Sequence, residues 1–190
     1  FDGDLSLKAG WPHQTGISGF FEPTNPVFCD LDSDGFVEYF LSCTYIDPFS
    51  TGIIYGWEID GASYDFGGKS YIDIPISAVG PLVVADLNGD TAPDLITAVR
   101  MDWMVSYVDR IMAFNRFGDI LEGFPLMVEG DMNCNHRVPF VADIDGDDLI
   151  DITVPVNSSK LAHYRLDSYF DYCASPVTMW RYHRNFDGMG

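Results

Sequence analysis

Hydrophobic residues recur along the chain in short runs, each broken by an acidic, turn-forming segment. Pro26-Val27-Phe28-Cys29, Pro81-Leu82-Val83-Val84-Ala85 and Pro139-Phe140-Val141-Ala142 each run into such a break. A second β-prone run follows each break: Tyr39-Phe40-Leu41-Ser42-Cys43, Leu95-Ile96-Thr97-Ala98-Val99 and Ile152-Thr153-Val154-Pro155-Val156. Short apolar runs bounded by turn residues read as strands, so the local prediction is strand, acidic loop, strand, three times over. A third element keeps the period. Trp57-Glu58-Ile59-Asp60-Gly61, Ala113-Phe114-Asn115-Arg116-Phe117-Gly118 and Trp180-Arg181-Tyr182-His183-Arg184-Asn185-Phe186-Asp187-Gly188 each look like a strand closing on a glycine turn. Gly10-Trp11-Pro12 and Gly123-Phe124-Pro125 form corners after such turns, so each unit offers about four short strands.

The breaks themselves are copies of one loop. They read Asp30-Leu31-Asp32-Ser33-Asp34-Gly35-Phe36-Val37-Glu38, Asp86-Leu87-Asn88-Gly89-Asp90-Thr91-Ala92-Pro93-Asp94 and Asp143-Ile144-Asp145-Gly146-Asp147-Asp148-Leu149-Ile150-Asp151, offset by 56 and 57 residues. Side-chain oxygens stand at loop positions 1, 3, 5 and 9 of every copy, with an apolar residue at position 2. Repeats of this period point to an array of similar units. The units are about 1–60, 61–117 and 118–190.

Carboxylate and amide oxygens at alternating positions of a tight loop converge on one centre, and hard oxygen donors in that number suit calcium; magnesium demands a stricter octahedron and keeps its water. The expected ligands are Asp30, Asp32, Asp34 and Glu38, then Asp86, Asn88, Asp90 and Asp94, then Asp143, Asp145, Asp147 and Asp151. The main-chain carbonyls of Phe36, Ala92 and Leu149, at position 7, would complete three calcium shells. Loop two has one carboxylate fewer and should bind most weakly. One such loop alone could be a solvated acidic turn; three with the same oxygen spacing argue for metal. An EF-hand is excluded, because position 12 is Leu41, Thr97 or Val154 rather than a bidentate acid, and the flanks are strand-like.

Charge sharpens this reading. The 190 residues carry 10 Lys plus Arg against 29 Asp plus Glu, a formal charge of −19, which argues against nucleic-acid binding. A hydrophobic fraction of 47% sets the chain apart from a disordered acidic tail. Eleven of the 29 acids stand at these ligand positions, where, without a cation, like charges would repel and raise one another's pKa. The 18 Gly and 11 Pro favour turns over long helices, and no apolar stretch is long enough to span a membrane as a helix.

At the Asp-Leu-Asn-Gly-Asp and Asp-Ile-Asp-Gly-Asp cores, the preceding Pro-apolar-Ala and the Gly-Phe-Pro corner, the chain resembles the FG-GAP and VCBS type repeats of calcium-binding β-propellers. Such repeats occur in integrin α-subunit heads and many secreted bacterial proteins. The likeness covers essentially the whole chain and implies an all-β fold of three four-stranded, blade-like propeller units with calcium-binding loops. It departs in detail: Gly35 stands at position 6 where the other copies have Thr91 and Asp148, and Asn88 replaces an Asp. Propellers close with four to eight blades, so three units imply a longer propeller, an open stack or completion by neighbouring chains.

Phe1-Asp2-Gly3 matches Phe186-Asp187-Gly188, and the last interval is lengthened by an expected insertion at 157–176. The segment 177–186 reads as a strand without a place in its own register, able to add to the open first unit of another copy and build a filament head to tail. Four cysteines allow three pairings, of which Cys29–Cys43 and Cys134–Cys173 are the expected ones, in an oxidising, extracellular setting; free buried thiols are the alternative. Asn157-Ser158-Ser159 fits a glycosylation sequon. His13, His136, His163 and His183 are scattered and read as surface or turn residues, with no zinc spacing and no nucleophile elbow. Most aromatics should fill space between blades, with Trp103 and Tyr107 as candidates for a sugar-stacking platform. The expected function is a non-catalytic, secreted or surface structural or adhesive block that self-associates or meets other surface proteins. The alternative is a glycan- or protein-recognition module of a larger secreted protein or enzyme.

Overall fold

In a computed structural model, residues 12, 20–46, 50–75, 77–103, 106–128, 137–157 and 160–166 are described. They form strands and turns with no helix. The first sheet contains Phe20–Pro23 (β1), Val27–Cys29 (β2), Glu38–Ile46 (β3), Ser50–Trp57 (β4) and Tyr71–Ile74 (β5). The second contains Ser77–Ala85 (β6), Asp94–Trp103 (β7), Ser106–Phe114 (β8) and Leu126–Val128 (β9). The third contains Phe140–Ala142 (β10), Asp151–Asn157 (β11) and Lys160–Tyr164 (β12). Each is an antiparallel meander, and the loop-flanking runs expected as strands are β2 and β3, β6 and β7, β10 and β11.

The recurring proline has a structural reason. β1 and β2 both pair with β3 and act as one strand broken around Thr24-Asn25-Pro26. In the second sheet the same place is a register shift between Val79 and Leu82, around Gly80-Pro81. Proline lacks the N–H that a ladder needs, so the pairing must slip there. The bulge is used: the Gly80 carbonyl accepts from Ser42 Oγ of the first sheet at 2.7 Å and from Thr97 Oγ1 of its own sheet at 2.9 Å.

The sheets pack face on face, and the period of two along each central strand divides its side chains between two cores. On β7, Leu95 and Val99 face the first sheet, joining Phe40, Ile54 and Tyr64. Ile96 and Ala98 face the third, joining Ile152, Val154 and Tyr164. Cys43, Ile53, Tyr55 and Trp57 form a further cluster on the other face of the first sheet. Position 2 of each loop follows the same logic. Leu31 plugs the core between sheets one and two and Leu87 that between sheets two and three, whereas Ile144 is 53% exposed.

The third unit corrects the expected insertion. Residues 160–164 are strand β12, antiparallel to β11 and paired with it from Asn157 and Lys160 onward. The residue registered with Trp57 and Phe114, opposite the residue after the position-9 acid, is Tyr164 rather than Trp180. The segments 1–3 and 177–186, the residues Cys134 and Cys173, and the serines of the sequon lie outside the described residues.

Candidate metal centres

All three loops close on one hydrogen-bond frame. The position-1 carboxylate accepts from main-chain N–H groups further along. Asp30 accepts from Asp34 and Gly35 at 3.0 Å each, Asp86 from Gly89 at 2.7 Å and Thr91 at 2.8 Å, and Asp143 from Gly146 at 2.7 Å and Asp148 at 3.0 Å. The position-5 carboxylate accepts from the N–H of position 7, at 2.8 Å for Phe36, 2.9 Å for Ala92 and 3.0 Å for Leu149. The position-9 acid, first residue of the following strand, accepts from the N–H of position 2. Glu38 accepts from Leu31 at 2.6 Å, Asp94 from Leu87 at 2.9 Å and Asp151 from Ile144 at 3.0 Å. In loops one and two, position 3 also accepts from the N–H of position 5, through Asp32 at 3.1 Å and Asn88 at 2.9 Å.

The backbone repeats as closely. Positions 4 and 6 of every loop are left-handed: Ser33 and Gly35 (φ 63° and 91°), Gly89 and Thr91 (75° and 71°), Gly146 and Asp148 (79° and 66°). One of the two is always glycine, which takes this conformation without strain. The shift of glycine between positions 6 and 4 is therefore no departure from the repeat.

The loops differ in how far their oxygens converge. Carboxylate oxygens of Asp30, Asp32, Asp34 and Glu38 lie within 4.8 Å of one another, as do those of Asp143, Asp145 and Asp151. Asp86, Asp90 and Asp94 share the frame but are not gathered this closely. In loop two the Asn88 amide donates to Asp90 Oδ2 at 3.1 Å. Glu38 is fully buried and, among the described residues, its Oε1 has no hydrogen-bond partner. Burial, together with the charges of Asp32, Glu58 and Asp30, pushes its carboxyl to about 7. Burial likewise pushes Asp94 to about 7, aided by Asp90 and Asp86. A buried carboxyl oxygen without a hydrogen bond, on a residue that clusters with three other carboxylates, is a place for a cation, so loop one fits an oxygen-coordinated divalent ion.

Sequence reasoning missed the groups that face the loops from the neighbouring strand. Glu58 stands beside loop one; burial, Asp32 and Asp34 raise its pKa. Arg165 pairs with Asp145 Oδ2 at 3.0 Å and with Asp147 Oδ2 in loop three. This pairing holds the Asp147 carboxyl below the usual range. His163 lies on β12 rather than in a turn, its Nδ1 2.9 Å from Thr153 Oγ1 and its Nε2 3.8 Å from Asp151 Oδ1. Both follow from the register of β11 with β12, which the spacing of the repeats does not reveal.

The expected Cys29–Cys43 bridge is overturned. Both thiols are free: Cys29 packs against the core between sheets one and two, whereas Cys43 belongs to the cluster on the opposite face. Cys29 pairs opposite Glu38, five residues from Cys43 along β3, so neither reach nor direction allows the bond. Burial pushes the thiols to about 12 and about 11.

No protein-family model, curated protein or solved structure shows a significant match to the chain.

Proposed function

We propose that this protein is a calcium-stapled array of propeller-type blades, of the FG-GAP and VCBS kind its loops resemble, acting as a non-catalytic structural or adhesive block outside the cell. The observation that carries this reading is loop one, where four carboxylates converge and one of them, Glu38, is buried with its Oε1 unpartnered among the described residues. The common frame supports extending it to loops two and three. Calcium that binds the folded loops alone adds stability by mass action, and an extracellular setting supplies the millimolar ion that exposed loops of this kind need. Three ions would offset six of the nineteen net negative charges.

An open face supports assembly with further blades, from this chain or another copy. Ile54 and Ile111, buried between sheets, correspond in register to Leu161, which is 66% exposed beside Phe140 at 61%. The competing reading, a recognition module, is favoured by a groove of about 700 Å³ between the first and second sheets. It is lined by Ile72, Ile74, Met112 and Phe114 with Lys69 and Arg110 at hand. A glycan array discriminates: specific binding supports recognition, and none, with calcium-dependent association in sedimentation, supports the structural block.

A further inference from the structure

The residue after the third strand of each unit occupies one structural position. Tyr39, Leu95 and Ile152, each following the position-9 acid, pair with Trp57, Phe114 and Tyr164. The next residues are Glu58, Asn115 and Arg165, so this position is negative beside loop one, neutral beside loop two and positive beside loop three. Its chemistry is visible in the position-5 carboxylate, whose first oxygen is always held by the N–H of position 7. The second oxygen differs. Asp34 Oδ2 has no hydrogen-bond partner among the described residues, Asp90 Oδ2 takes the Asn88 amide, and Asp147 Oδ2 takes the Arg165 guanidinium. Asn115 is a neutral amide and adds no charge to loop two; its Oδ1 accepts from the N–H groups of Phe117 and Asp119 within its own turn. Arg116, from the second sheet, reaches loop one only at the main-chain carbonyl of Asp32, at 3.4 Å.

We propose that this position sets the order in which the loops fill, Glu58 strengthening loop one and Arg165 acting as a built-in counter-cation that holds loop three closed and must yield two carboxylates before calcium enters. The inference rests on the calcium reading above. A guanidinium bridging two of four acidic side chains both blocks their oxygens and repels a divalent ion. At the dielectric of a protein surface, one unit charge a few Å away changes divalent affinity on the order of tenfold.

The test is a calcium titration of the chelator-stripped chain followed by amide NMR, with Gly35, Gly89 and Gly146 reporting loops one, two and three. In the wild type the Gly146 midpoint should lie at least about tenfold above that of Gly35. Arg165→Gln should lower the Gly146 midpoint by about tenfold and leave Gly35 and Gly89 unchanged, while Arg165→Lys keeps it near wild type. Should Arg165→Gln fail to fold, Glu58→Gln tests the same rule by raising the Gly35 midpoint severalfold. A Gly146 midpoint that moves less than about twofold in Arg165→Gln, or a Gly35 midpoint indifferent to Glu58→Gln, overturns the inference. Wild-type resonances that ignore calcium altogether would instead remove the calcium reading on which it stands.

Discussion

At the scale of single residues, strain and burial within the loops make the sharpest predictions. Thr91 and Asp148 hold left-handed backbone without being glycine. Thr91→Gly should therefore raise stability by about 1 kcal/mol, and Gly146→Ala, at φ 79° with open space around the added carbon, should lower it by about as much. Thermal melts of the metal-free chain measure both. The buried acids give a pH dependence whose sign is fixed. Glu38 is raised from 4.5 to about 7 and Asp94 from 3.8 to about 7, so the fold binds these protons more tightly than the unfolded chain does. Their destabilising contribution is absent below the unfolded values and complete above about 7. Melting of the metal-free chain should accordingly fall between about pH 4.5 and 7, and Glu38→Gln should flatten part of that fall. A flat profile for the wild type would contradict the burial argument. The clustering of the loop carboxylates was legible in the sequence because oxygen spacing is a local property. The pairing of left-handed positions was not, because glycine satisfies only one of them in each copy.

At the scale of elements, close approach between strands lets the sheets pack. A side-chain carbon added at Gly56 would lie 2.7 Å from the Phe40 ring and 2.8 Å from Tyr64 Cβ, inside a cluster where the two rings meet edge to face with centroids 5.2 Å apart. Gly56→Ala should cost about 1–3 kcal/mol by denaturant melting, as overpacking does. Gly52 makes the corresponding approach between sheets, its added carbon meeting Val79 Cγ2 at 2.5 Å. Arg100 and Asp109, opposite one another on β7 and β8, form a bidentate pair at 2.9 and 3.2 Å with the carboxylate buried. Asp109→Ala should cost about 3 kcal/mol by leaving the guanidinium without that carboxylate. The strands around each loop were legible because apolar runs and turn residues mark them. β12 was not, because its two-residue connection and its alternation of Leu161, Ala162, His163 and Tyr164 look like part of an irregular segment. The misplaced disulfide has a related cause: side-chain parity along β2 and β3 depends on register, and register is a property of two strands.

At the scale of the whole molecule, one pair of faces recurs. The forward face of sheet one packs on sheet two, and that of sheet two on sheet three, while in sheet three Ile144, Phe140 and Leu161 stand exposed at the equivalent places. If this face takes another blade from a second copy, Leu161→Glu should abolish concentration-dependent sedimentation while leaving the melting temperature within a few degrees. Unchanged sedimentation would remove the face from the interface. The all-β repeat was legible because its period is written in the loops, whereas the packing of one sheet on the next appears only in three dimensions. The most direct test of the central claim is calorimetric titration of the chelator-stripped chain with calcium, paired with melting. Three saturated sites at about a hundredfold over Kd would add roughly 8 kcal/mol and raise Tm by roughly 15–30 °C. Saturable binding below about millimolar calcium is expected, as is its loss at loop one in Glu38→Gln. No heat of binding in millimolar calcium, with melting indifferent to chelator, would contradict it.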